Sequence, residues 1–254
     1  MFQITPASTN PNLTERGLWN TFRTCGRDDQ QGTVAANYLI KHYTGKNVFI
    51  VNDKTPYGQG LAEEVKKAIN AGGLTEIGFQ GITVGEKDYS ALVARIQDAK
   101  ADVVYFGGIY TEGALILRQL RDQGIKIPMI GGDALFSTEF AAIGGHEADG
   151  TLITFGPDAR KNPAAADVVK AFAADNIDPE GFTLYGYAAV QVIAAGIKAA
   201  GKADPQAVAD KLHSGMTVDT VIGPLTYNAK GDITRMDFVF YELKNGKFEE
   251  SGAE

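Results

Sequence analysis

An α/β chain built around a parallel sheet is what this sequence predicts, and three observations carry the expectation. Short runs of β-branched and aromatic residues alternate with stretches whose apolar residues recur at helical spacing. Gly-rich and Pro-containing breaks separate them. The first strand-like run is apolar throughout, as a strand covered on both faces must be, so helices are expected on either side of the sheet.

The elements follow in order. Val48-Phe49-Ile50-Val51 reads as a buried strand, and Asp53-Lys54-Thr55-Pro56-Tyr57-Gly58 after it as a turn. Leu61, Val65, Ala68 and Ile69 then repeat at helical spacing until Gly72-Gly73, where a C-terminal cap belongs. The unit recurs: a strand at 77–82, a helix at 89–99 with Leu92, Val93 and Ile96 on one face, and a short buried strand at 103–106. A helix at 112–123 carries Leu115, Leu117 and Leu120 and ends at Gly124; residues 128–130 begin one more strand. Gly156-Pro157 breaks the pattern. Ala-rich helices are predicted at 164–174 and 184–200, and another at 205–212. Residues 237–243 alternate as a strand, Asn245-Gly246 is a hairpin signal, and 247–249 pair back.

Composition excludes several functions. A net charge of -7, with no local run of Lys or Arg, opposes binding to nucleic acid or anionic membrane. Apolar stretches are broken well short of the roughly 18 to 20 residues that span a bilayer. Residues 1–20 lack the regions of a signal peptide, so a leader is expected to have been removed or the true start to lie upstream. Cys25 is the single cysteine, and its spacing from His42, His146 and His213 does not suit a zinc site. No cofactor is implied.

Catalytic motifs are equally sparse. Tyr57-Gly58-Gln59-Gly60 stands where a dinucleotide fingerprint would, but its third glycine is missing. The phosphate-loop and nucleophile-elbow patterns do not occur either. An enzyme is not expected. The stretch 5–17 (TPASTNPNLTERG) is poor helix and poor core; it reads either as a structural loop or as a segment offering backbone groups and the Ser8 and Thr9 hydroxyls to a zwitterion.

Several motifs, taken together and in order, carry a resemblance. They are Ile4-Thr5-Pro6-Ala7-Ser8-Thr9, the run 23–32 (RTCGRDDQQG), Asp53-Lys54 with Tyr57-Gly58, Gly81-Ile82-Thr83 with Gly85-Glu86-Lys87-Asp88, Leu117-Arg118-Gln119, Tyr187-Ala188-Ala189-Val190-Gln191 and Ile222-Gly223-Pro224-Leu225. Over essentially its whole length the chain resembles the branched-chain amino-acid binding proteins of bacterial ABC importers. That resemblance implies a type I periplasmic-binding-protein fold of two Rossmann-like lobes: an incomplete first lobe at 1–27 and 157–230, and a second lobe at 28–156 and 231–254. Family members begin about a hundred residues earlier, so the opening strands and helices of the first lobe are expected to be missing.

The resemblance further implies a non-enzymatic periplasmic receptor that closes on a small amino acid and delivers it to a membrane permease. A sensor of amides or amino acids acting on a regulator shares the fold and stays open as an alternative. Thr9 matches the residue whose hydroxyl and backbone contact the ligand's amino and carboxylate groups. Ala7, with Ser8 beside it, matches the one whose carbonyl takes the ammonium. Tyr57 matches an aromatic that closes over the ligand, and Asp133 an acidic partner for the ammonium. Where many members place a second tyrosine this chain has Ile109 and then Tyr110, and the spacing slips by one around 182–185. An incomplete first lobe would leave apolar helix faces open and favour homo-oligomers.

Overall fold

The computed structural model of the chain describes residues 1–235 and 238–253, which fall into two compact units. The first comprises Met1–Arg27 with Gly156–Asp237, and the second Asp28–Phe155 with Phe238–Glu254.

The first unit opens with β1 (Gln3–Thr5), a single-turn α1 (Asn12–Glu15) and β2 (Thr21–Arg23). β1 and β2 run parallel, with Ile4 opposite Phe22 and Thr5 opposite Arg23. Successive strand residues point to opposite faces. Phe22 accordingly packs among Phe2, His213 and Tyr227, while Arg23 takes the other face.

The second unit begins with α2 (Asp28–Tyr43) and continues as a βα series. The series is β3 (Val48–Asn52), α3 (Pro56–Ala71), β4 (Gly78–Gly81), α4 (Ser90–Asp98), β5 (Val103–Gly107), α5 (Tyr110–Asp122), β6 (Met129–Gly131), α6 (Thr138–Gly144) and β7 (Leu152–Phe155). The chain returns to the first unit for α7 (Ala166–Ala174), α8 (Thr183–Ala200) and α9 (Pro205–His213), then closes the second with β8 (Val239–Lys244) and β9 (Lys247–Glu250). The seven strands lie in the order β4-β3-β5-β6-β7-β8-β9. Pairing is parallel from β4 to β7 and antiparallel from there to β9. Val48 and Ile50 of β3 and Val103 and Tyr105 of β5 are buried against Leu61, Val65 and Ile69 of α3 and Ala35, Ala36 and Leu39 of α2. Among the described residues no helix is long and apolar enough to cross a membrane.

The structure departs from the sequence expectation at several points. The predicted final strand starts at Asp237, which lies outside the described residues; the observed strand runs from Val239. Asp232, expected in the second lobe with 231–254, sits in the first unit because its carboxylate accepts from Thr14 and pairs with Arg23 and Arg27. Gly156, expected in the second lobe, also falls in the first unit. β1, β2, α2, α6 and β7 were not anticipated by the hydrophobic pattern.

Candidate ligand-binding groups in the two units

In open α/β sheets ligands bind beyond the carboxyl ends of the parallel strands, and the second unit places its polar groups there. After β3, the Asp53 carboxylate accepts from the Thr55 N–H at 2.9 Å and the Thr55 hydroxyl at 2.6 Å. Thr55 caps α3, its Oγ1 accepting from the Gly58 N–H at 2.9 Å, and Pro56 supplies the preset backbone angle of the first helical residue. Gly58 must be glycine, since a Cβ would lie 2.3 Å from Asp53 Oδ1 and 2.5 Å from the Gly107 carbonyl. This turn fixes Tyr57 on the first turn of α3.

The Tyr57 hydroxyl donates to Asp133 Oδ1 at 2.6 Å and accepts from the Ala134 N–H at 3.2 Å. Asp133 follows β6 in a single 3-10 turn, 133–135, and is only 3% exposed. Gly132 permits the approach: a Cβ there would meet Leu61 Cδ2 at 2.4 Å and the Tyr57 hydroxyl at 2.7 Å. Burial raises the Asp133 carboxyl to about 6, against the lowering effect of hydrogen bonds from Tyr57, Gln31 and the backbone. The Tyr57 phenol is pushed well above its ordinary value, by burial first and then by the Asp133 charge. Gln31 reaches in from α2, its Nε2 donating to the carbonyl and hydroxyl oxygens of Thr154 at 2.9 and 3.0 Å. Tyr105 is buried below, its hydroxyl without a hydrogen-bond partner among the described residues.

Ile109 and Tyr110 stand at the carboxyl end of β5, where Ile109 is exposed and precedes α5. The Tyr110 hydroxyl is engaged by Glu139 of α6, the main reason its phenol is raised. The structure thus joins Tyr57 to Asp133 and turns Tyr110 to a different carboxylate.

In the first unit the chain from Thr5 folds on itself. Thr5 Oγ1 accepts from the N–H groups of Ala7 (3.3 Å) and Ser8 (3.0 Å) and donates to the Ser8 hydroxyl at 3.0 Å. The Ser8 amide donates within the loop and its hydroxyl accepts there. Thr9 differs. It is 1% exposed and its hydroxyl has no hydrogen-bond partner among the described residues. The carbonyls on either side of it, Ser8 and Asn10, accept from Arg23 at 2.7 and 3.2 Å.

Sequence reasoning overlooked Gln31, Gly132 and Arg23. Gly132 had a signal in the Gly131-Gly132-Asp133 run; Gln31 and Arg23 had none beyond the motif in which they stand. Cys25 is a buried thiol 3.6 Å from the Ser8 carbonyl oxygen. Among the described residues no group of three or more His, Cys, Asp or Glu is placed to hold a metal ion.

The sequence matches the family model described as periplasmic binding protein over residues 3–247. A Leu/Ile/Val-binding protein homolog from Brucella melitensis is 50% identical over 246 residues, 97% of this chain and 66% of that protein. The chain thus spans just under two thirds of the length of that relative. The crystal structure of the leucine-binding protein LivK from Thermotoga maritima matches with a TM-score of 0.91 at 27% identity, covering 99% of this chain and 72% of that one. An ABC transporter substrate-binding protein from Desulfitobacterium hafniense, solved in complex with Leu, matches with a TM-score of 0.79 at 25% identity, covering 99% and 73%.

Proposed function

Because the chain belongs to the periplasmic binding protein family, we propose that it is the greater part of the solute-binding component of an ABC importer, acting in the periplasm. Its ligand is a small amino acid of the leucine, isoleucine or valine kind, and its recipient a membrane permease. It binds without chemistry.

The observation that carries this reading is the Tyr57–Asp133 pair. A buried carboxylate held by a phenol, an amide and backbone N–H groups suits an incoming ammonium, because a cation would repay the desolvation that raises the acid. In the first unit, the buried Thr9 hydroxyl is a donor of the kind a carboxylate takes and the Ala7 carbonyl an acceptor of the kind an ammonium takes. Ser8 acts by shaping the loop, and Ile109 and Tyr110 meet the ligand's side chain. Chemical fit alone ranks leucine, isoleucine and valine weakly, since one methylene in an apolar pocket is worth about 1–3 kcal/mol.

Proton linkage supplies the test. An ammonium beside Asp133 lowers its pKa, so binding below about 6 must release a proton. Calorimetric titration with each of the three amino acids, at about pH 5 and about pH 7.5 in buffers of different ionisation heat, should show tighter binding at the higher pH with proton release only at the lower. Absence of binding by all three at both pH values would refute the proposal.

A further inference from the structure

Among the described residues Arg23 is the largest wholly buried side chain, with 0% exposure, and nothing in the ligand chemistry above uses it. Both terminal nitrogens are hydrogen-bonded, and Nε is ion-paired. Nε lies 2.8 Å from Asp232 Oδ1; Nη1 donates to the Ser8 carbonyl at 2.7 Å; Nη2 donates to the Asn10 carbonyl at 3.2 Å and the Thr14 hydroxyl at 2.8 Å. The Thr14 hydroxyl in turn donates to Asp232 Oδ1 at 2.7 Å, and the other Asp232 oxygen accepts from Arg27 Nη1 at 2.8 Å. The Cys25 thiol adds a second, longer contact to the Ser8 carbonyl.

A buried ion pair is weak evidence for stability, since desolvation offsets most of the Coulomb gain. Balancing Asp232 needs only a positive charge. A planar fork that reaches two main-chain carbonyls is needed only if those carbonyls must be held in place. The two it holds flank Thr9, whose buried hydroxyl has no hydrogen-bond partner among the described residues. With both neighbours turned toward the guanidinium, the orientation of Thr9 is set from the two sides.

We propose that Arg23, anchored by Asp232 and Thr14, is the positioning residue of the ligand loop: it presets the 8–10 backbone so that the Thr9 hydroxyl is presented to the amino acid before the ligand arrives. The inference rests on the proposed amino-acid binding, but its first consequence, a rigid loop, is independent of any ligand.

The test pairs amide hydrogen exchange over residues 7–10 with calorimetric titration of L-leucine, on the full chain. Arg23→Lys keeps the charge against Asp232 but cannot span both carbonyls, so exchange in the loop should speed up and affinity should fall about tenfold or more. Thr14→Val, milder in case the lysine variant fails to fold, frees one side of the fork and should give a smaller change in the same direction, with Thr14→Ser restoring the original values. A merely structural ion pair predicts the opposite pattern, rescue by Arg23→Lys. Unchanged loop exchange in Arg23→Lys and Thr14→Val overturns the inference. Faster loop exchange in the variants of a chain that binds none of the three amino acids would uphold the clamp and refute the proposed function instead.

Discussion

Replacing Asp133 by asparagine should make the second unit more stable and the protein a worse receptor. Burial lifts the carboxyl from an ordinary 3.8 to about 6. At neutral pH the ionised form is therefore carried at a cost of about 3 kcal/mol, from about two pKa units at about 1.4 kcal/mol each. The direction in pH follows. A carboxyl raised in the folded state binds its proton more tightly there than in the unfolded chain, so its contribution is fully favourable below about 4, is lost between about 4 and about 6, and is absent above. Asp133→Asn should thus match the parent near the acid end and gain up to about 3 kcal/mol above about pH 6, while amino-acid affinity at neutral pH falls at least tenfold through loss of the anion. Carbon-13 NMR of the Asp133 carboxyl reads the titration directly, and thermal unfolding of parent and variant across the same range reads its consequence. Tyr57→Phe provides a signed control, because the Tyr57 hydrogen bond lowers this carboxyl and its removal should move the midpoint above about 6. A midpoint at or below about 4, or an Asp133→Asn protein less stable than its parent at neutral pH, would refute the reasoning.

Three further outcomes are expected. Gly132→Ala should drive the Tyr57 hydroxyl off Asp133, since the added Cβ would sit 2.7 Å from that oxygen and 2.4 Å from Leu61 Cδ2; ultraviolet difference spectra of tyrosine and leucine affinity should both change. Thr9→Val should stabilise the ligand-free chain by about 1 kcal/mol, by replacing an unsatisfied buried hydroxyl with a methyl, while weakening binding; a loss of unliganded stability in thermal unfolding would count against Thr9 as a ligand group. Self-association through α8, whose Tyr187 and Val190 are 41% and 65% exposed, should give a light-scattering mass above that of one chain, and Tyr187→Lys with Val190→Lys should lower it.

How far the sequence revealed these features depended on the size of the side chains facing the core. The βα series from Val48 to Met129 was legible because Val48, Ile50, Leu61, Val65, Ile69, Val93 and Leu117 are large and recur at the right period. α2 was not. Its buried positions repeat faithfully along the helix, but they are filled by Asp28, Gln31, Gly32, Ala35, Ala36 and Leu39, which carry little apolar signal. Gly32 is small for a packing reason, as a Cβ would lie 3.0 Å from that of Glu64 on α3. β1 and β2 are three residues each, too short for any periodicity, and β2 includes an arginine that no pattern rule would bury.

The same contrast separates what motif resemblance supplied at the candidate sites from what it could not. Tyr57 and Asp133 were singled out as individual matches, yet their direct hydrogen bond depends on the Thr55 cap, on Gly132 and on a neighbour from α2, the last two bringing together residues far apart in sequence. Thr9 was singled out for its hydroxyl, but what supports its proposed role is that this buried hydroxyl has no partner among the described residues, a property visible only once the nearby donors and acceptors have been placed. In each unit the group proposed to meet the ligand carries an energetic penalty of its own, a raised carboxyl in one and, among the described residues, an unmet hydroxyl in the other, and a set of neutral or paired groups holds it there. Relieving either penalty by substitution should stabilise the empty protein and cost affinity, which is why stability and binding must be measured on the same variants.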